Sequence, residues 1–252
     1  MHYDSVHVEQ GKMQSTSNNI WNQARPEPVP GVFNIGGHLD QPPLPNTDPA
    51  VGMRLHHVMM RIRDPERSLQ FYRDLLGMRL VWTLNTGPFT IYYLGFPSTD
   101  GDRADLKYWA EHPADFAAFT RTTGFLELKH MHGAEKPLEE GGIQFSNGNA
   151  PPHLGFGHLG FTVPHVPSIL ARLKDAGAPV VKDLRYNGRA SIPLTEWEKE
   201  RGVGVGDMVE SYKETIKQVA MVEDPVSSSA APFYDTLFKS RAKQIRKGWI
   251  LC

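Results

Sequence analysis

Apolar positions along the chain keep two rhythms, and these follow one another in the same order twice. The run Leu55-His56-His57-Val58-Met59-Met60-Arg61-Ile62 reads as a strand. Asp64 then stands as an N-cap with Pro65 at the first helical position, and Leu69, Tyr72, Leu75 and Leu76 recur at helical spacing up to a C-capping Gly77. Leu80 to Leu84, Phe89 to Phe96 and Gly124 to Lys129 predict three more strands, with a polar, helical or irregular insert over about 100–121. The order is β-α-β-β-β. It restarts with a strand at His158-Leu159-Gly160-Phe161-Thr162-Val163 and a helix over Pro164 to Ala176, ended by Gly177. Val180-Val181, Val219 to Val222 and Phe233 to Phe238 supply the later strands. From His57 to Gly77 is 20 residues and from His158 to Gly177 is 19. That is an internal repeat of roughly 100 residues. Its second copy is interrupted over about 184–215, where Thr195-Glu196-Trp197-Glu198 and Asp207-Met208-Val209-Glu210 both carry a capping-box pattern and predict two short helices. The predicted fold is α+β: two tandem βαβββ modules behind an extended N-terminal arm.

The arm breaks both rhythms. Pro26, Pro28, Pro30, Pro42, Pro43, Pro45 and Pro49 fix φ and remove donors, so no regular element is expected over residues 1–53. Trp21, Val29, Val32, Phe33 and Ile35 are apolar enough to dock on a surface, such as that of a second subunit. The modules then occupy 54–146 and 147–252, the second with the insert and a basic C-terminal tail. Composition narrows the function. Lys plus Arg is 27 against 28 Asp plus Glu, a net charge of −1, which argues against a nucleic-acid binder. No apolar run reaches the roughly 18 residues of a membrane span, and the first thirty residues hold no hydrophobic signal core. Cys252 is the only cysteine, so no intrachain disulfide can form and a cytoplasmic location is expected.

Metal-type side chains stand at equivalent points of the two modules. His57 and His158 open the first strand of each. Glu127, between Leu126 and Leu128, lies on the last strand of the first module, and Asp235 lies on the last strand of the second. Two imidazoles and two carboxylates suit a first-row divalent ion with positions left open for water or substrate. Taken singly, a histidine at a strand start is usually a surface or core residue, and a lone strand glutamate usually faces solvent. Their symmetric placement is what singles them out. Strand alternation would turn His56 to the opposite face, as a bystander.

The run from His57 to Tyr72 with Leu76-Gly77-Met78, then Leu126-Glu127-Leu128, then Asn147-Gly148-Asn149 and Gly155-Phe156-Gly157-His158-Leu159-Gly160, together resembles glyoxalase I (lactoylglutathione lyase) of the vicinal oxygen chelate superfamily. The resemblance covers about 54–182 well and the rest loosely. It implies His57, Glu127 and His158 as metal ligands. The family's fourth ligand, a glutamate after an Asp-Pro-Asp-Gly turn, falls on Ala231 at the usual spacing. A longer turn brings Asp235 into register, one methylene shorter. It implies one divalent ion per site, of zinc, nickel, cobalt or iron. It implies also an enediolate mechanism in which Asp235 or Glu127 moves a carbon-bound proton of a vicinal-oxygen substrate, and Arg61 holds the substrate's anion. Met131 and Leu154 stand where the family has polar glutathione contacts, so weak turnover of the glutathione adduct of methylglyoxal is expected, with the 184–215 insert as a lid. A homodimer is implied, with His57 and Glu127 from one chain meeting His158 and Asp235 from the other. Another vicinal oxygen chelate reaction on a non-glutathione substrate, including isomerisation, cyclisation or iron(II) dioxygenation, and a non-catalytic ligand-binding protein are the competing readings.

Overall fold

Most of the local signals for turns and caps are realised where the chain encodes them. The computed structural model describes residues 29–32, 44–192, 194–225 and 248–251. Strand β1 (His57–Ile62) ends before Asp64, whose extended backbone lets its carboxylate accept from the Arg67 amide at 3.0 Å. Helix α1 (Pro65–Leu69) therefore begins at the proline, whose missing N–H would have been an orphan anyway. It widens into a π-helical stretch over Gln70–Leu75 and stops at Gly77, where φ is +84° and a side chain would be strained. Strands β2 (Arg79–Asn85) and β3 (Phe89–Gly95) follow as a hairpin. The polar insert folds into three short helices, α2 (Asp100–Ala104), α3 (Leu106–Ala114) and α4 (Phe116–Phe119), before β4 (Phe125–Met131). The sheet order is β1-β4-β3-β2, with β1 and β4 parallel.

The second module opens on a small ribbon, β5 (Asn149–Ala150) and β6 (His153–Leu154). Strand β7 (Gly160–Val163) starts two residues after His158, so the histidine precedes the strand rather than opening it. Helix α5 (Val166–Asp175) and β8 (Val180–Lys182) follow as expected. Of the two predicted capping boxes in the insert, Thr195 and Glu198 form one and start α6 (Glu196–Glu200). The other does not form. The Asp207 carboxylate accepts from the Met208 amide and from Lys213, and α7 (Glu210–Ile216) starts three residues later without a side-chain cap. After β9 (Val219–Val222), strand β10 (Gly248–Leu251) completes the second sheet in the order β7-β10-β9-β8. Strand β10 holds the slot that β4 holds in the first module. It runs antiparallel to β7, whereas β4 runs parallel to β1. The strand predicted over 233–238, and with it Asp235, lies outside the described residues, as do Trp21 and Phe33 of the arm.

One face of each sheet builds a shared core. Ile62, Leu94 and Leu128 of the first sheet, Leu173 of α5 and Ala220 and Ile250 of the second are fully buried in one cluster. At roughly 1.5–3 kcal/mol for each large side chain, this burial holds the modules together. The Tyr72 hydroxyl of the first module donates to the Asp224 carboxylate of the second, so a buried polar pair also joins them. Residues 52–252 form one compact unit, and the residues before them a separate one, in which the described stretches are turns, such as Val51 N–H to the Asp48 carbonyl at 3.0 Å. Among the described residues no helix is long and apolar enough to cross a membrane.

Candidate functional site

The other face of the first sheet carries the chemistry. Period-two alternation puts His57, Met59 and Arg61 of β1 on that face, opposite Ile62. The register pairs Met59 with Glu127 of β4 and Glu127 with Tyr93 of β3, so those side chains share it. Glu127 is 9% exposed. A carboxylate so placed costs several kcal/mol unless it is partnered. Its partners are the Tyr93 hydroxyl, which donates to Oε2 at 2.5 Å, and His57, whose Nε2 lies 3.2 Å from the same oxygen. Burial, then the bond to Glu127, raises the Tyr93 phenol above its ordinary value, so it stays a donor.

The insert helices wall this pair in. Trp109 of α3 and Phe119 of α4 pack on Val81, Trp82, Tyr93 and Phe125 as a second apolar cluster. Trp82 stacks on Tyr93 with centroids 4.5 Å apart, and Phe119 stacks on Phe125 at 5.2 Å. Beyond the wall, Arg61 and Met59 line a cavity of about 370 Å³ with Phe145, Asn147 and Phe156. Among the described residues, none of the 184–215 insert expected as its lid lines that cavity.

His56 is not a bystander. It precedes β1, so strand alternation does not govern it. Its Nδ1 lies 2.8 Å from His57 Nδ1 and its Nε2 lies 2.8 Å from the Phe119 carbonyl. Sequence reasoning passed over both His56 and Tyr93, because each acts through a group that only folding brings near.

The structure thus joins His57 to Glu127 and puts Arg61 and Met131 on the same face. It does not bring His158 or Leu154 to them. Both are exposed, Leu154 on the β5–β6 ribbon and His158 ahead of β7. Among the described residues no three His, Cys, Asp or Glu side chains converge on one point. An imidazole nitrogen and a buried carboxylate oxygen 3.2 Å apart are nevertheless a fitting donor pair for a first-row divalent ion, with the rest of the shell to come from elsewhere.

Residues 54–193 match the Glyoxalase/Bleomycin resistance protein/Dioxygenase superfamily, a segment that includes β1, β4, His57, Glu127 and His158. The chain belongs to that superfamily. Among similar proteins, the lactoylglutathione lyase of Schizosaccharomyces pombe is 35% identical over 133 residues, covering 52% of this chain and 39% of the relative. Glyoxalase I of Saccharomyces cerevisiae is 33% identical over 140 residues, covering 55% and 40%. The lactoylglutathione lyase of Pseudomonas aeruginosa is 37% identical over 131 residues, covering 51% and 68%. The matched stretches span about two fifths of the two yeast relatives. The superfamily segment takes in the whole first module with the His57–Glu127 pair, and the aromatic insert α2–α4 forms one wall of the site.

Proposed function

We propose that this chain is a divalent-metal-dependent isomerase of the lactoylglutathione lyase type. It acts on the hemithioacetal that a 2-oxoaldehyde forms with a thiol, glutathione or a related compound. The convergence of His57 Nε2 and Glu127 Oε2 inside the superfamily segment carries this reading. A divalent ion held by His57 and Glu127 would supply Lewis-acid stabilisation of the oxyanion that builds as a carbon-bound proton leaves. The chain's own residues do the rest. Glu127 Oε2 is held by Tyr93, while Oε1 carries no hydrogen bond among the described residues and is the atom that takes the proton from the hydroxyl-bearing carbon and returns it to the neighbouring carbon. Atoms balance once the hydroxyl proton passes to the neighbouring carbonyl oxygen, since the hemithioacetal and the thioester product are isomers. Arg61 pairs with the substrate's carboxylate, and the wall of Trp82, Tyr93, Phe119 and Phe125 excludes water. The full chain supplemented in turn with zinc, nickel, cobalt or iron(II) is expected to convert a methylglyoxal hemithioacetal to its thioester. Turnover of the glutathione adduct should be weak beside that of a typical glyoxalase I, because Met131, on the same face as Arg61, offers glutathione no polar contact. Absence of thioester with every ion and every thiol would overturn the reading.

The remaining ligands come, in this proposal, from a second copy of the chain, with His158 and Asp235 of one copy completing the half-site of the other. The exposure of His158 supports this. Mixing a His57→Ala chain with a His158→Ala chain tests it. A heterodimer then holds one site lacking both histidines and one intact site, so zinc binding should return to about half. Stable heterodimers that bind no zinc would place the site within a single chain.

A further inference from the structure

We propose that His56 is a positioning residue that sets the tautomer of His57 and so makes it ready to bind metal; this rests on the metal-site reading above. A chain of hydrogen bonds runs inward from the insert to His57. The Phe119 carbonyl can only accept, and it also receives the Thr122 amide at 3.1 Å. His56 Nε2, 2.8 Å away, must therefore carry a proton. A neutral imidazole has one donor and one acceptor, so His56 Nδ1 accepts. The group facing it, His57 Nδ1 at 2.8 Å, must then be the donor. That leaves His57 Nε2 as a bare lone pair.

The lone pair meets another. Its neighbour at 3.2 Å is Glu127 Oε2, an acceptor already in receipt of the Tyr93 hydroxyl proton. Two electron pairs facing one another repel unless a cation lies between them. A histidine meant only as an ion-pair partner for Glu127 would carry its proton on Nε2, and the bond from His56 opposes that form. The His56 ring is fixed in its place edge-on to Phe119, with centroids 4.5 Å apart, and against Phe125 at 5.3 Å. The insert α2–α4 thus reaches the ligand through one backbone carbonyl and one imidazole. Partners outside the ligand shell that fix a histidine tautomer commonly contribute 10–100-fold to metal affinity.

The test reads the tautomer directly, in the full chain freed of metal at pH 8, by long-range proton–nitrogen NMR of the labelled histidines, alongside titration with zinc. Wild type is expected to show His57 protonated on Nδ1. His56→Phe keeps the ring packing but offers no acceptor, so His57 should move its proton to Nε2 and zinc affinity should fall about 10–100-fold. His56→Asn, whose amide oxygen reaches the place of Nδ1, should keep the Nδ1-protonated form and most of the affinity. A wild-type His57 protonated on Nε2 overturns the proposal, even if the His56→Phe chain does not fold. So does a His56→Phe chain with unchanged tautomer and affinity. His57→Ala separates the two readings: if it binds zinc as well as wild type, the metal site is elsewhere, and the NMR result still decides what His56 does to His57.

Discussion

Replacing Glu127 with glutamine is expected to cost this chain both its zinc affinity and its turnover. The amide keeps the volume of the carboxylate and still offers one oxygen to Tyr93. It removes the negative charge that His57 Nε2 faces at 3.2 Å and the base that moves the proton. A positioned base contributes roughly 10²–10⁴-fold, so turnover should fall by that order. Zinc affinity should drop by more than the 10–100-fold of an outer partner, because a ligand itself is lost. The fold should survive, and the protein should gain stability if anything, since a buried charge is replaced by a neutral group. Calorimetric zinc titration, thioester formation and a denaturation midpoint measured together check all three. A Glu127→Gln chain with wild-type zinc affinity would remove Glu127 from the site.

The second large effect lies away from the site. Lys182, at the end of β8, is 1% exposed, and its ammonium donates to the carbonyls of Ile216 at 2.9 Å and Val219 at 2.7 Å. It joins the end of α7 to the start of β9 and so closes the 184–215 insert onto the second sheet. Lys182→Met keeps the apolar stem and strands two buried carbonyls, at roughly 1–3 kcal/mol each, so about 3 kcal/mol of stability should be lost. Burial pushes the ammonium down to about 8, with Asp183 opposing, from 10.5 in an unfolded chain. Between those values the unfolded chain binds more protons than the folded one. The contribution of Lys182 to stability should therefore rise with pH from about 8 towards 10.5 and stay level below 8. Urea midpoints of wild type and Lys182→Met at pH 7 and pH 9.5 should draw apart at the higher pH. A constant difference would mean that the ammonium is not desolvated.

Most of the fold was legible in the sequence because its signals are short-range. Asp64 caps α1 through an amide three residues on, Thr195 and Glu198 cap α6 reciprocally, and Gly77 and Gly177 end their helices at φ of +84° and +82°. Alternation over five or six residues was enough to place β1 and β4, and the repeat of the pattern placed the second module. His57 and Glu127 were singled out in the sequence by their placement on the first and last strands of the module, and the folded sheet is what sets their side chains 3.2 Å apart. What only the tertiary structure decided lies between segments far apart in the chain. Tyr93 reaches Glu127 across 34 residues, His56 reaches Phe119 across 63, and Lys182 reaches Val219 across 37. Asp207 was lost as a cap to a lysine six residues on, which competes for the same carboxylate. Local patterns report what a residue does to its own turn of helix or strand. They do not report which distant carbonyl, phenol or imidazole will stand 3 Å away. That is settled by which apolar faces pack together, and at this site by the aromatic face of the 100–121 insert closing on the first sheet.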